Sequence, residues 1–215
     1  GFHVSVALGA FFGGLVVVTT LSEAVGNATR SVVVNGELLR KIFLPRELFP
    51  VSSVCVAAVH LVPQLLVLVV AALACGWRPD AVGLLALVTG LALVAVLSLG
   101  LGLLLSALNV LYRDLENVVD LVLTVLVWTS PVLYPWQVVG DLLGSDSWLF
   151  RLYQLNPVTV AVELVHRGTW ATASAGNLAQ AAPDLLPRTV FAFAVTGALV
   201  LLGQRVFRRM SGSFA

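Results

Sequence analysis

Charge is what this sequence has least of. Only 11% of its 215 residues are Asp, Glu, Lys or Arg, against 59% hydrophobic. A soluble domain carries about 25% charged residues. That deficit, with a mean hydropathy of +1.00, assigns the chain to the bilayer. Lysine occurs once, at Lys41. A phosphate-binding loop of the G-x-x-x-x-G-K-[ST] type needs glycines ahead of its lysine. The residues before Lys41 do not supply them, so the chain does not bind ATP in that way. Cysteine occurs only at Cys55 and Cys75, in one apolar run. Twenty residues of helix separate them by about 30 Å, which excludes a disulfide between them. They read as small packing residues. The net charge of +1 offers no basic arm and no acidic tail, so nucleic acid is not an expected partner.

Long uncharged runs are what the sequence has instead. A helix needs roughly 20 apolar residues to cross the hydrocarbon core. Gly1 to Ser22, Leu48 to Trp77, Ala81 to Tyr112 and Leu121 to Gly140 qualify, and so does Thr189 to Gln204, extendable back to Leu185. The runs are continuous rather than alternating, which excludes a β-barrel. The expected fold is therefore all-α, a polytopic membrane protein with five spans in this chain.

Orientation follows from Lys and Arg in the connections. Arg30, Arg40, Lys41, Arg46, Arg113, Arg205, Arg208 and Arg209 fall on one side of the alternation. Arg78, Arg151, Arg167 and Arg188 fall on the other. The loop Glu23 to Glu47, the knot at residues 109–116 and the C-terminus are thus expected in the cytoplasm. The Trp77 loop and the long segment Asp141 to Arg188 are expected outside. Gly1 then starts outside without an initiator Met, so an upstream span and a cytoplasmic N-terminal segment are expected to precede it. A cleaved signal peptide is the weaker explanation.

The segment Asn35 to Pro50 combines charge with an apolar stripe. Asn35 is a candidate cap, Glu37 sits near the start of a short helix, and Arg40 and Lys41 sit near its end. Leu38, Leu39, Ile42 and Phe43 form the stripe, and Pro45 ends it. This is an interfacial amphipathic helix, serving either as an anchor or as a docking site for a cytoplasmic partner. Gly9-x-x-x-Gly13 and the series Ser98, Gly102, Ser106 allow close helix approach, within the bundle or at a dimer contact. His60 and Gln64 lie one turn apart in the second run, with no acid in that run, and His60 reads as a packing histidine.

Pro131 and Pro135 disrupt the end of the fourth run, and Trp136 to Leu143 suits a short helix. Asn156-Pro157 then signals a helix start. The apolar Val158 to Arg167 that follows is too short to span, which makes it re-entrant or interfacial. It carries Glu163, which either lines a water-filled path or pairs with Arg167 four residues on, the pair being preferred. Trp128, Tyr134, Trp136, Trp148, Phe150, Tyr153 and Trp170 gather toward the outer face. They form either an interfacial belt or a stacking surface for sugars.

Three stretches in order resemble the membrane subunit of ABC exporters for lipid-linked polysaccharides, a group that includes O-antigen, teichoic acid and mycobacterial galactan exporters. They are Leu39 to Pro50, with its basic pair and Pro-Arg-Glu; Leu108 to Asp114, followed by Ser130-Pro131 and Tyr134-Pro135; and Leu155-Asn156-Pro157. Leu44 stands where the family usually has Phe. The resemblance implies a single transmembrane domain over residues 1–215, six spans in the full subunit, and no catalytic residue, metal or cofactor in this chain. It implies a second copy as partner, and two cytoplasmic ATPase subunits that hold ATP and Mg. Glu37, Leu38, Arg40, Lys41, Phe43, Arg46 and Glu47 would form the coupling helix region that docks the ATPase. Arg113, Asp114 and Glu116 would form the cytoplasmic turn. Trp128, Tyr134, Trp136, Tyr153, Asn156 and Glu163 would line the substrate path and outer gate, with 136–143 and 157–167 as re-entrant helices. The implied location is a bacterial inner membrane, and the implied cargo is an undecaprenyl-linked glycan, with cell-wall galactan a candidate. A drug or small hydrophobic cargo is the near alternative. An intramembrane glycan-processing enzyme would need converging acids; Asp114, Glu116 and Asp120 do cluster, but read better as a solvated or partner-facing surface.

Overall fold

The computed structural model describes residues 2–41, 45–74, 77–112, 114–132, 136–144, 147–169 and 184–211. Among them the secondary structure is helical throughout: α1 (Phe2–Val34), α2 (Gly36–Lys41), α3 (Leu48–Ala74), α4 (Ala81–Leu111), α5 (Leu115–Thr129), α6 (Trp136–Leu143), α7 (Trp148–Leu155), α8 (Pro157–Thr169) and α9 (Leu185–Ser211). Four segments are long and apolar enough to cross a membrane: Phe11–Val34, Leu48–Ala74, Ala81–Leu111 and Leu185–Met210.

Two expected boundaries move. The first run was to end at Ser22, but α1 continues to Val34 without a proline to stop it. The charges taken as loop markers, Glu23 and Arg30, are instead paired with neighbouring helices. The run Leu121 to Gly140 is not one helix. α5 starts earlier, at Leu115, and stops at Thr129, where Ser130 N donates to Leu126 O and Pro131 follows. Its 15 residues measure about 22 Å, short of the roughly 30 Å hydrocarbon core. α6 begins at Trp136, as expected. α7 was not expected at all.

Side-chain contacts set the direction of each helix. Glu23 meets His60 and Thr19 meets Gln64, so α1 and α3 are antiparallel. Gly14 lies against Val132 while Arg30 lies against Glu116, so α5 also runs against α1. Gly100 lies against Val200 and Gly203 against Leu104, so α4 and α9 are parallel. One end of the bundle gathers α2, the α4–α5 knot and the end of α9, where Arg208 Nε donates to Glu47 Oε1 at 3.1 Å. The opposite end gathers the α3–α4 turn and α6 to α8. This grouping of ends is the one that the alternation of Lys and Arg predicted.

Helix packing depends on small residues. A Cβ at Gly168 would stand 2.7 Å from Gly83 O, and one at Gly203 would stand 2.8 Å from Gly100 O. Both are too close for any side chain, so α4–α8 and α4–α9 approach backbone to backbone. Gly102 lies against Ala28, and Ser98 and Ser106 are buried. The small-residue series therefore packs within this chain. α8 is the most enclosed element: ten of its 13 residues are buried, against α4, α1, α9 and α7.

Candidate functional site: a polar furrow at membrane depth

α1 carries Thr19, Ser22, Glu23, Gly26 and Arg30, spaced so that all five fall on one helix face. That face is the floor of a furrow walled by α3 and α5. On the α3 side His60 Nδ1 meets Glu23 Oε1 at 2.5 Å, and Thr19 Oγ1 donates to Gln64 Oε1 at 3.3 Å one turn away. On the α5 side Arg30 pairs with Asp120 and, at 3.7 Å, with Glu116. Asp120 also stands against Gly26. Further along, α1 and α5 diverge around a cleft of about 590 Å³. Phe11, Leu15, Val18 and Thr19 line one wall, and Leu123, Thr124 and Trp128 the other, with Asp120 toward the α2 end.

The furrow is open. The His60 side chain is 56% exposed and Asp120 50%. Glu23 lies 11 residues from the end of α1, about 16 Å along the helix. Hydrogen-bonding groups at that depth do not face hydrocarbon; they face water, protein or a polar solute. The rest of α3 behaves differently. Val59, Val62, Leu66, Val67 and Val70 are exposed and apolar, as a lipid-facing surface requires. Among the described residues no group of three or more His, Cys, Asp or Glu converges as a metal site.

The residues singled out in the sequence fall at three places. At the α2 end, Glu37 and Leu38 are exposed on α2, Glu47 is tied to Arg208, and Arg46 is half-buried in the turn before α3. Arg40 and Lys41 lie in α2, but their side chains, together with all of Phe43, fall outside the described residues. Asn35 Nδ2 donates to Ser31 O at 2.7 Å, at the end of α1 and just ahead of α2. In the knot, Arg113 lies outside the described residues, Asp114 is exposed, and Glu116 belongs to the Arg30 cluster. Glu116 and Asp120 thus tie α5 to α1 while keeping 40% and 50% of their side-chain surface exposed, as a solvated or partner-facing surface would. Beneath the knot Asn109 is buried and donates Nδ2 to Thr29 O at 3.1 Å, joining α4 to α1.

At the opposite end, Trp128 is exposed in the cleft. Tyr134 and the Trp136 side chain fall outside the described residues. Tyr153 is half-buried and stacked on Phe150, with ring centroids 6.4 Å apart. Asn156 Oδ1 accepts from Val158 N at 3.0 Å, which starts α8 as the Asn-Pro pair predicts. Glu163 is buried, but its partner is not Arg167, which is exposed. Glu163 Oε2 lies 4.0 Å from Nη1 of Arg188 on α9, and Arg188 Nη2 donates to Gln154 Oε1 at 2.8 Å. α8 is not among the four candidate spans. There burial pushes the Glu163 carboxyl up to about 7, with Arg188 pulling the other way.

Sequence reasoning missed the furrow itself. Glu23 was read as a loop residue, so His60 had no visible acid. The signal was present: Thr19, Ser22, Glu23 and Arg30, with the small Gly26 between them, keep helical spacing past the expected end of the span.

An apolar helical bundle with four helices long enough to cross a membrane and a polar face between them defines an integral membrane protein. The family model for ABC-2 type transporters matches residues 3–168, and the chain belongs to that family. Among curated proteins it is similar to the O-antigen export system permease protein RfbA of Klebsiella pneumoniae, 28% identical over 127 residues, covering 57% of this chain and 46% of the relative. It is also similar to the protein of the same name from Myxococcus xanthus, 31% identical over 148 residues, covering 68% of this chain and 55% of the relative. The chain spans about half the length of the curated relatives it matches. The resemblance to polysaccharide-export permeases that the motifs carry is borne out.

Proposed function

We propose that this chain is the transmembrane subunit of an ATP-driven exporter that moves a lipid-linked polysaccharide across a bacterial inner membrane. The observation that carries this reading is the furrow. Its floor and walls offer donors and acceptors at a depth where lipid can satisfy neither. A hydrated glycan needs such a lining, and a lipid carrier needs the apolar flanks beside it. Trp128, at the edge of the cleft, adds a flat apolar ring suited to the C–H face of a sugar.

In this reading the furrow faces a second copy of the chain, and the two enclose the path. α2 is the coupling helix. Its exposed Glu37 and Leu38 project toward the ATPase subunits, which hold ATP and Mg. α6 and α8 are re-entrant helices that gate the outer end, and the single domain works without catalysis of its own. The relatives named as O-antigen export permeases support a polysaccharide cargo; a cell-wall galactan is the finer proposal. Depletion of the protein tests the reading. A lipid-linked glycan is expected to accumulate on the cytoplasmic side while its surface form declines. If no lipid-linked glycan accumulates, the polysaccharide reading is wrong.

A further inference from the structure

Charge in the furrow narrows the cargo. Among the described residues its walls carry three carboxylates, Glu23, Glu116 and Asp120, against one guanidinium, Arg30. His60 adds at most one further positive charge. Among the described residues the balance is negative, by two with His60 neutral (one minus three) and by one with His60 charged. In a path bounded by low-dielectric walls, such a surplus repels anions more strongly than it would in water.

We propose that the furrow admits an uncharged, hydroxyl-rich glycan and rejects chains that bear a phosphate or carboxylate in every repeat. This deepens the polysaccharide-export reading and rests on it. The acids occupy two levels of the path, Glu116 and Asp120 near the α2 end and Glu23 farther in. A chain with one negative charge per repeat would meet both levels with successive repeats. Arg30 is no free anion site, because it is held between two carboxylates. A neutral sugar meets complementary groups instead. Glu23 accepts, Gln64 both donates and accepts, His60 does either according to its tautomer, and the Thr19 and Ser22 hydroxyls lie one turn or less away on the floor. Hydroxyl groups exchange hydrogen bonds with such a rung without bringing a charge to be desolvated. Selection thus comes from a repulsive element as well as an attractive one.

The test begins with the glycan that accumulates on depletion. Released from its lipid by mild acid, it is expected to pass unretained through an anion exchanger and to contain neither phosphorus nor uronic acid in its repeat. A retained glycan with phosphate or uronate in each repeat overturns the charge selection while leaving the export reading intact. Absence of any accumulated glycan overturns both. The rung is tested by Gln64→Leu, a change on the partly exposed face of α3. Loss of one hydrogen bond to the moving chain is expected to slow export about 2- to 10-fold at unchanged abundance and unchanged self-association. Export at the wild-type rate overturns the rung as a sugar contact. A defect that travels with lost self-association overturns it as well, because the rung would then be a subunit contact.

Discussion

The substitution Glu163→Gln isolates the energetics of the most enclosed acid among the described residues. Its side chain is 6% exposed and lies 4.0 Å from the Arg188 guanidinium. Burial raises the carboxyl from 4.5 to about 7, outweighing the opposing pull of Arg188. A carboxyl whose folded pKa is raised binds its proton more tightly in the folded state. Its contribution to stability is complete below about pH 4.5 and is lost as pH rises through about 7. At 1.36 kcal/mol per pKa unit the loss amounts to about 3 kcal/mol. For a chain of 150–250 residues that is about 6–12 °C in Tm. Glutamine keeps the shape and hydrogen-bonding capacity but cannot ionise. The Tm of Glu163→Gln minus that of the wild type should therefore grow by about this amount between pH 5 and pH 8. Making both proteins in a His166→Asn background removes the imidazole that lies three residues along α8 from Glu163. α4 and residues 11–21 of α1 hold no ionisable group, Arg151 on α7 is exposed, and Arg205, Arg208 and Arg209 lie at the far end of α9. Tryptophan fluorescence melts of the purified protein in detergent read the difference directly. A difference that does not change with pH would refute the burial argument for Glu163.

Other perturbations separate packing from function. Asn109→Ala removes the 3.1 Å bond to Thr29 O, a carbonyl that keeps its place in the α1 helix ladder, and should cost about 0.5–1.5 kcal/mol in the same melts; an unchanged Tm would deny α1–α4 its buried link. Gly203→Val forces a side chain where a Cβ would already stand 2.8 Å from Gly100 O, and overpacking of about 1–3 kcal/mol or more should appear as reduced Tm and abundance. By contrast, a double-mutant cycle on Arg30→Gln and Asp120→Asn should yield a coupling of only about 0.2–1 kcal/mol, since both side chains are 41–50% exposed. The coupling proposal predicts that Glu37→Ala with Arg40→Ala lowers ATPase activity in complex with the ATPase subunits while Tm stays unchanged. Unaffected activity and assembly would remove α2 from that role.

Much of the fold was legible because a bilayer writes strong rules into a sequence. Uncharged runs located α3, α4 and α9, and the distribution of arginines sorted the helix ends correctly. Asn156-Pro157 marked the start of α8 because a side-chain acceptor and an imino residue each solve a helix-terminus problem. The misreadings share one cause. A charge was taken to end a span, yet Glu23 and Arg30 stay in helix because α3 and α5 supply their partners. Such pairing is a tertiary fact that no local pattern contains. Likewise Glu163 had Arg167 at helical spacing and took Arg188 from α9 instead, because Arg167 points out of the bundle and Arg188 points in. α7 was invisible: its eight residues mix charge and apolar groups over too short a length for periodicity to register.

The central claim is that the chain passes a glycan across the membrane at the expense of ATP hydrolysed by its partner. Vesicles holding the protein and its ATPase subunits, loaded with a fluorescent lipid-linked oligosaccharide, test it most directly. If ATP is supplied on the side of the ATPase subunits, the oligosaccharide should become inaccessible to a glycosidase on that side, at a rate that falls with Gln64→Leu. ATP hydrolysis at full rate with the oligosaccharide still accessible would contradict the account.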